Sequence, residues 1–462
     1  MKYCSTRGQV KGLSFTDAVM MGLADDGGLL LPEAIPTLSE AEIAGMKNLS
    51  YPDLAYEIIR RYATDIPAED LRDLIERSYA SFNDPRVTPV VKRDDLYILE
   101  LFHGPTLAFK DVALQFLGNL FEYFLLKNGR RMNIIGATSG DTGSAAIYGV
   151  RGKQNINIFI LHPKGRVSPI QELQMTTVTD ANVFNLAVEG TFDDAQAIVK
   201  EIFGDLDFKE RHALGAVNSI NWARVLAQVV YYFYAWFRIS EETAAGGCEV
   251  AVPTGNFGDI FAGYIAKSMG LPIRKLILAT NANNILCRFI NHGDYSKAAV
   301  HHSLSPSMDI QIASNFERYL YFLYGCDANR VVQAMEDFAA TGRLDFTDQQ
   351  RAAVLEDFAA ASVDDDETLA MIKAFYEETG YTLDPHTAVG VAAGRQARNQ
   401  EYPLLCLATA HPAKFGEAVQ RATGANPPLP EAFAKLASAE KRVLTVAAET
   451  RQVKRIIEEN SI

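Results

Sequence analysis

Asn133-Ile134-Ile135-Gly136-Ala137-Thr138-Ser139-Gly140-Asp141-Thr142-Gly143-Ser144-Ala145-Ala146-Ile147-Tyr148 reads as a single unit. A short apolar run (Asn133–Ala137) predicts a strand, a loop of small residues follows, and Ser144–Tyr148 starts a helix. At such a junction the first helical N–H groups have no intrahelical partner and carry the positive end of the helix dipole. A glycine-rich loop lets an anion approach close enough to use them. The same grammar continues downstream. Ile156–Leu161 is the next strand, with a loop over 162–169 and a helix from Ile170; Val183–Val188 is a third strand, with a helix over Asp193–Phe203. Alternation of this kind requires right-handed crossovers and a parallel sheet covered on both faces, with ligands beyond the carboxyl ends of the strands. The fold class is α/β.

A second α/β unit begins near Asn218. Val225–Phe237 reads as a buried helix, Glu249–Val252 as a strand, Gly258–Met269 as the helix it feeds and Ile273–Ala279 as another strand. Between them, Pro253-Thr254-Gly255-Asn256-Phe257-Gly258-Asp259 repeats the strand–loop–helix junction. Over 315–379 the strand signal vanishes and acidic amphipathic helices predict a helical insertion, with Asp364-Asp365-Asp366-Glu367 a solvated helix start. Strand grammar resumes at Leu404–Ala408, and the chain from Leu436 onward reads as mixed helix. Residues 1 to 90 read as mostly helical: Phe15–Leu23 has helical spacing, Ser39 caps a stretch beginning at Glu40, and Tyr51–Tyr62 follows. A chain of 462 residues needs more than one core. The expected division is a helical N-terminal domain over 1–95, a smaller α/β domain over 96–215 and a larger one over 216–462, packed around one cleft.

Composition narrows the partners. A net charge of −13 argues against nucleic acid and anionic membranes, so any anionic substrate must be held by local positive groups. The longest apolar stretch, Val229–Phe237, is too short to cross a bilayer, and Met1-Lys2-Tyr3 runs into polar sequence without a targeting core; a cytoplasmic location is expected. The five cysteines are scattered with no Cys-x-x-Cys pair, which suits reduced thiols and gives no metal site. His301-His302 reads as a surface loop. Neither a Gly-Lys-Ser/Thr triplet nor a Gly-x-Gly-x-x-Gly fingerprint is present, which removes the common nucleotide-binding patterns.

A third segment supplies the chemistry. In His103-Gly104-Pro105-Thr106-Leu107-Ala108-Phe109-Lys110-Asp111, Lys110 lies among Leu107, Ala108, Phe109, Val112, Ala113 and Leu114. Desolvation there disfavours the ammonium form, and a neutral amine condenses with an aldehyde. One amine nucleophile and two anion loops suit pyridoxal 5′-phosphate, with a carboxylate-bearing substrate for the second loop.

With these segments in view, the chain resembles the threonine synthase family, pyridoxal-phosphate enzymes of the tryptophan-synthase-β fold group (fold type II), in its long microbial and fungal subclass. The matching segments span nearly the whole chain. They include Ser5-Thr6-Arg7-Gly8, Asp25-Asp26-Gly27-Gly28-Leu29, the lysine motif, Asn218-Ser219-Ile220-Asn221-Trp222-Ala223-Arg224, Ser307-Met308-Asp309-Ile310, Ser314-Asn315-Phe316-Glu317-Arg318, Asp384-Pro385-His386-Thr387-Ala388 and Ala408-Thr409-Ala410-His411-Pro412-Ala413-Lys414-Phe415.

The resemblance implies conversion of O-phospho-L-homoserine and water to L-threonine and phosphate by γ-elimination and β-addition, the last step of threonine biosynthesis. Its rivals are a phospho-lyase of the same architecture that releases 2-oxobutyrate and a non-catalytic ligand-binding relative. Lys110 is implied as covalent anchor of the cofactor and as general base. Gly255, Asn256, Phe257, Gly258 and Asp259 match the loop for the cofactor phosphate. Phe257 replaces the family's usual small residue, and Asp259 is expected to act through its N–H. Thr409 matches the position that meets the pyridine nitrogen, the alternative being a buried structural threonine. Thr138, Ser139, Gly140 and Thr142 match the loop for the substrate α-carboxylate. Asp141 stands where relatives commonly carry asparagine, so it must be turned toward a donor, protonated, or in contact with the cofactor. Asn218, Ser219 and Arg224 match the pocket for the substrate phosphate, with an ordinary salt bridge as the alternative for Arg224. Lys414 either assists that anion or caps a helix surface. Monomer and homodimer are both open.

Overall fold

Both blocks of alternating strand and helix form mainly parallel sheets. The structure is a computed structural model that describes residues 1–243 and 245–462. Two compact units emerge, a larger one of 1–76, 82–103 and 219–427 and a smaller one of 77–81, 104–218 and 428–462.

The smaller unit is built on a five-stranded sheet in the order Leu444–Ala447, Val183–Glu189, Ile156–Pro163, Met132–Ala137, Leu214–Gly215, parallel throughout. Ile156–Pro163 is buried along its whole length, as a strand covered on both faces must be. One face of the core joins Phe159, Leu161, Leu186 and Ile202 to Val446, Val453 and Ile457 from the end of the chain.

The larger unit carries a six-stranded sheet ordered Phe358–Ser362, Ile273–Thr280, Cys248–Pro253, Leu404–Ala408, Leu96–Glu100, Val90–Arg93. Only the last pair is antiparallel. The helix Trp222–Glu242 is buried on nearly all sides through Phe237, as its all-round apolar sequence requires. Asn221 caps it, accepting from the Ala223 N–H at 3.0 Å.

The N-terminal helices start where their caps place them. Ser14 and Ser39 each form a reciprocal capping box, with Asp17 and Glu42, ahead of Phe15–Met21 and Glu40–Gly45.

Several expectations are corrected. Residues 1–76 do not stand apart as a domain but belong to the larger unit, as do 96–103; residues 428–462 belong to the smaller one. Register explains both boundaries. Leu96–Glu100 pairs with Leu404–Ala408, and Leu444–Ala447 pairs with Leu186–Glu189. The segment 315–379 is not purely helical, because Phe358–Ser362 forms an edge strand along Leu276–Thr280. Its Phe-Ala-Ala-Ala-Ser composition favours helix locally, and the sheet edge overrides that preference. Among the described residues no helix is long and apolar enough to cross a membrane, and no cluster of metal-ligating side chains occurs.

Candidate active site

In the smaller unit, two helices converge at their starts. Lys110 is the first residue of Lys110–Lys127 and Asp141 the first of Asp141–Val150. These helices pack at glycines. A Cβ on Gly118 would overlap the Gly149 carbonyl, and one on Gly149 would lie 2.6 Å from the Leu114 carbonyl oxygen. Lys110 is buried, with Nζ 3.9 Å from Asp141 Oδ2. The other carboxylate oxygen of Asp141 accepts from Gln171 Nε2 at 2.7 Å. One carboxylate oxygen of Asp141 thus faces a side-chain donor, Gln171, and the other faces the Lys110 amine. Gln171 sits on the helix Pro169–Thr176 and carries no motif signal; only its place at the start of the helix after the next strand could have suggested it.

The loop before Lys110 is locked from within. Asp111 accepts from the Thr106 N–H (2.8 Å) and hydroxyl (2.6 Å), and Gln174 Nε2 donates to the Thr106 carbonyl at 2.9 Å. This lock holds Leu107 in the left-handed region (φ 55°), an uncommon conformation for a bulky residue, one step into the turn that presents Lys110. In the second loop, Thr138 Oγ1 accepts from the N–H groups of Gly140 (3.0 Å) and Gly143 (2.9 Å). Its hydroxyl is thus used to shape the loop. Ser139 is exposed, and the N–H groups of Ser139 and Thr142 have no protein acceptor among the described residues.

In the larger unit, the strand Cys248–Pro253 feeds the loop that opens the helix Gly258–Ser268. Phe257 adopts φ 64°, and its buried ring meets Phe316 edge-on at 5.5 Å. The atypical side chain is an anchor for the loop, pointing into the core. A Cβ on Gly255 would sit 2.6 Å from the Ser307 carbonyl oxygen, so the turn Pro306–Met308 leaves room for glycine only. Among the described residues, no protein group accepts from the N–H groups of 255–260. A loop held this tightly, with its donors unused, fits a phosphate. The Asp259 carboxylate faces away from that role. It accepts from Tyr231 (2.5 Å) and Tyr232 (2.9 Å), and burial raises its pKa to about 6. The N–H of Asp259 has no protein acceptor among the described residues.

The segment 219–224 is tied to this loop by Asn315. Asn315 Nδ2 donates to the carbonyls of Ser219 and Asn256, each at 3.1 Å. Ser219 and Ser314 hydroxyls lie 3.0 Å apart. Arg318 in turn donates to Asn315 Oδ1 and to the carbonyls of Leu30 and Ile220. Arg7 and Thr6 both bond Glu317, which ties the N-terminal segment to this network.

Arg224 behaves differently. It lies in the first turn of Trp222–Glu242 and is 5% exposed. No hydrogen bond or ion pair engages its guanidinium among the described residues, and Nη1 is fully buried without a partner. Burial lowers its pKa to about 10. The ordinary salt bridge offered as an alternative is absent there. Thr409, just past Leu404–Ala408, donates its N–H to Thr387 Oγ1 at 3.3 Å, while its own hydroxyl makes no hydrogen bond among the described residues. Lys414 is buried in the turn Pro412–Phe415, which removes the reading as a surface cap.

Comparison with known proteins decides the family. Residues 2–79 match the family described as threonine synthase N terminus, 83–346 that of pyridoxal-phosphate dependent enzymes and 387–457 that of threonine synthase, C-terminal. The chain belongs to the threonine synthase family. It is 47% identical to threonine synthase of Schizosaccharomyces pombe (91% of this chain, 89% of that one). With that of Pseudomonas aeruginosa it shares 46% identity (100% of this chain, 98% of that one). The crystal structure of pyridoxal-phosphate-bound threonine synthase from Brucella melitensis superposes with a TM-score of 0.97 at 45% identity, covering 100% of this chain and 99% of that one. The threonine synthase fold is thus the fold type II α/β architecture, and the chain is a pyridoxal-phosphate-dependent lyase acting on a small molecule.

Proposed function

We propose that the substrate is O-phospho-L-homoserine, converted with water to L-threonine and phosphate, and that Arg224 holds the substrate phosphate. The observation that carries this reading is the buried guanidinium with no protein partner among the described residues. Leaving such a cation unpaired costs several kcal/mol, so the site is completed by an anion brought from outside. The guanidinium fork pairs two phosphate oxygens and stabilises the charge that develops as phosphate leaves. Asn218 and Ser219, which precede it in the sequence, are the short donors this reading assigns to the same phosphate.

The geometry supports the remaining roles. Lys110 anchors the cofactor and moves protons at the substrate carbons, with Asp141 near enough to keep its amine oriented. Gly255, Asn256, Phe257, Gly258 and Asp259 receive the cofactor phosphate through backbone N–H groups. Thr138, Ser139, Gly140 and Thr142 serve the substrate carboxylate, Thr138 by shaping the loop. When bound, pyridoxal phosphate supplies the electron sink that makes the α- and β-protons removable. A neutral hydroxyl from Thr409 at the ring nitrogen keeps that sink mild, which favours elimination and replacement over transamination. We read the location as cytoplasmic, since all five cysteines are free thiols, and the assembly as monomer or homodimer.

Incubation of the holoenzyme with O-phospho-L-homoserine should release threonine and phosphate in equal amounts. Release of 2-oxobutyrate instead would make the chain a phospho-lyase, and no turnover would remove O-phospho-L-homoserine as its substrate.

A further inference from the structure

Asp384 is the N-cap of the helix Pro385–Ala397, but capping uses only part of its carboxylate. The group is 1% exposed and receives four donors. Oδ1 accepts from the His386 N–H and from His386 Nδ1, both at 2.9 Å. Oδ2 accepts from the Thr387 N–H at 3.3 Å and from the Thr387 hydroxyl. A cap needs the two backbone bonds; the two side-chain bonds do something else.

Each side-chain bond fixes a proton and so frees a lone pair on the far side. With its proton committed to Asp384, the Thr387 hydroxyl can only accept from elsewhere, and it accepts from the Thr409 N–H. With Nδ1–H directed at Asp384, His386 keeps Nε2 as an acceptor for the Ser307 N–H at 3.3 Å, and the Ser307 carbonyl is the group packed against Gly255. One buried carboxylate therefore sets hydrogen-bond direction at two places in the larger unit. The first lies at the carboxyl end of Leu404–Ala408 and the second beside the phosphate loop.

We propose that Asp384 is a positioning residue for Thr409: through the Thr387 hydroxyl it fixes the backbone from which the Thr409 side chain reaches the cofactor ring. This rests on the reading of Thr409 as the residue that meets the ring nitrogen. An amide in place of the carboxylate cannot do the same. In Asp384→Asn the side-chain NH2 would have to face either the two Thr387 donors or the two His386 donors. In the first case the Thr387 hydroxyl must turn its proton away from residue 384, where it competes with the Thr409 N–H for the rest of the oxygen's surroundings.

The test uses the holoenzyme and reads the absorbance band of the lysine-bound cofactor, its pH midpoint, and kcat against KM. Asp384→Asn and Thr387→Val should both shift the band or its midpoint and lower kcat by roughly tenfold, the effect of one misdirected hydrogen bond, with KM changed by less than about threefold. Thr387→Val keeps the helix cap, so it decides the matter if Asp384→Asn does not fold. Thr409→Val serves as the reference. If it shifts the band while Thr387→Val leaves band and kcat at wild-type values, Asp384 is a helix cap only; the proposal falls and the reading of Thr409 stands. If Thr409→Val itself leaves the band unmoved, that reading falls and takes the proposal with it.

Discussion

Arg224 and Arg318 are both buried arginines of the larger unit, and burial lowers both, to about 10 and about 9. Arg318 is satisfied by Asn315 and by the Leu30 and Ile220 carbonyls, whereas Arg224 has no such partner among the described residues. On the proposed reading the difference separates an architectural arginine from one that takes a ligand, and it can be measured. Added to the holoenzyme, whose phosphate loop the cofactor would already fill, inorganic phosphate should raise the Tm of the wild type and leave that of Arg224→Met unmoved, while the methionine variant alone should melt higher, since an unpaired buried charge has gone. Arg224→Ala should cost about 2–5 kcal/mol in kcat/KM, from several tens- to several thousand-fold, and Arg224→Lys should recover only part of it. An unchanged phosphate response in Arg224→Met would remove the residue from the substrate site. Lys110→Ala should abolish both the bound-cofactor absorbance and turnover, because the covalent anchor and the base go together; turnover above trace would reject that role. At this scale the sequence was informative about residue type. Lys110 among apolar neighbours and Arg224 five residues after Ser219 were visible. Gln171 as the partner of Asp141 was not, since a contact across 30 positions depends on how one helix lies on another.

Elements place these groups. Lys110 and Asp141 come within reach because their helices cross at Gly118 and Gly149, where backbone meets backbone. Gly118→Ala must push the helices apart. It should destabilise the protein by at least about 1–3 kcal/mol and weaken cofactor retention, both read from Tm and the cofactor band. An alanine variant with wild-type Tm would show that the crossing is loose. Asp259, in the first turn of Gly258–Ser268, offers a second test. Its folded pKa of about 6 lies above the unfolded value, so the folded state binds the proton more tightly. The resulting stability is present below about pH 4 and is lost as pH rises through about 6, on the order of 3 kcal/mol in all. The ligand-free wild type should therefore lose stability over that window relative to Asp259→Asn; parallel pH profiles would refute the shift. Strands bounded by turn residues, such as Ile156–Pro163 and Leu404–Ala408, were legible from their apolar runs. Phe358–Ser362 was not, because three consecutive alanines carry no strand signal until a sheet edge selects them.

Across the whole molecule, the α/β class could be read from the alternation of strand and helix, but the allocation of segments could not. Nothing local marks Leu96–Glu100 as the neighbour of Leu404–Ala408, because parallel pairing joins runs separated by most of the chain. The C-terminus makes the same point with a sharper consequence. Leu444–Ala447 is the edge strand on Val183–Glu189, and Val453 and Ile457 of the last helix are fully buried in the smaller unit's core. The end is also fastened by polar bonds. Asn157 Nδ2 donates to the Asn460 carbonyl at 2.7 Å, and Lys454 Nζ reaches Asp205 at 2.6 Å. Removing residues 444–462 would thus strip three apolar side chains from one core and expose the backbone edge of Val183–Glu189. At about 1.5–3 kcal/mol for each buried side chain, the loss approaches the net stability of an ordinary domain. The truncated chain should therefore aggregate or unfold in the segment 104–218, with loss of the bound-cofactor band, whereas the exposed edge of an intact sheet would merely dimerise. Hydrogen exchange distinguishes these results: rapid exchange through Ile156–Pro163 in the truncated chain is expected. Native protection there would mean that the last 19 residues only decorate the sheet, an outcome that the burial of Val446, Val453 and Ile457 argues against.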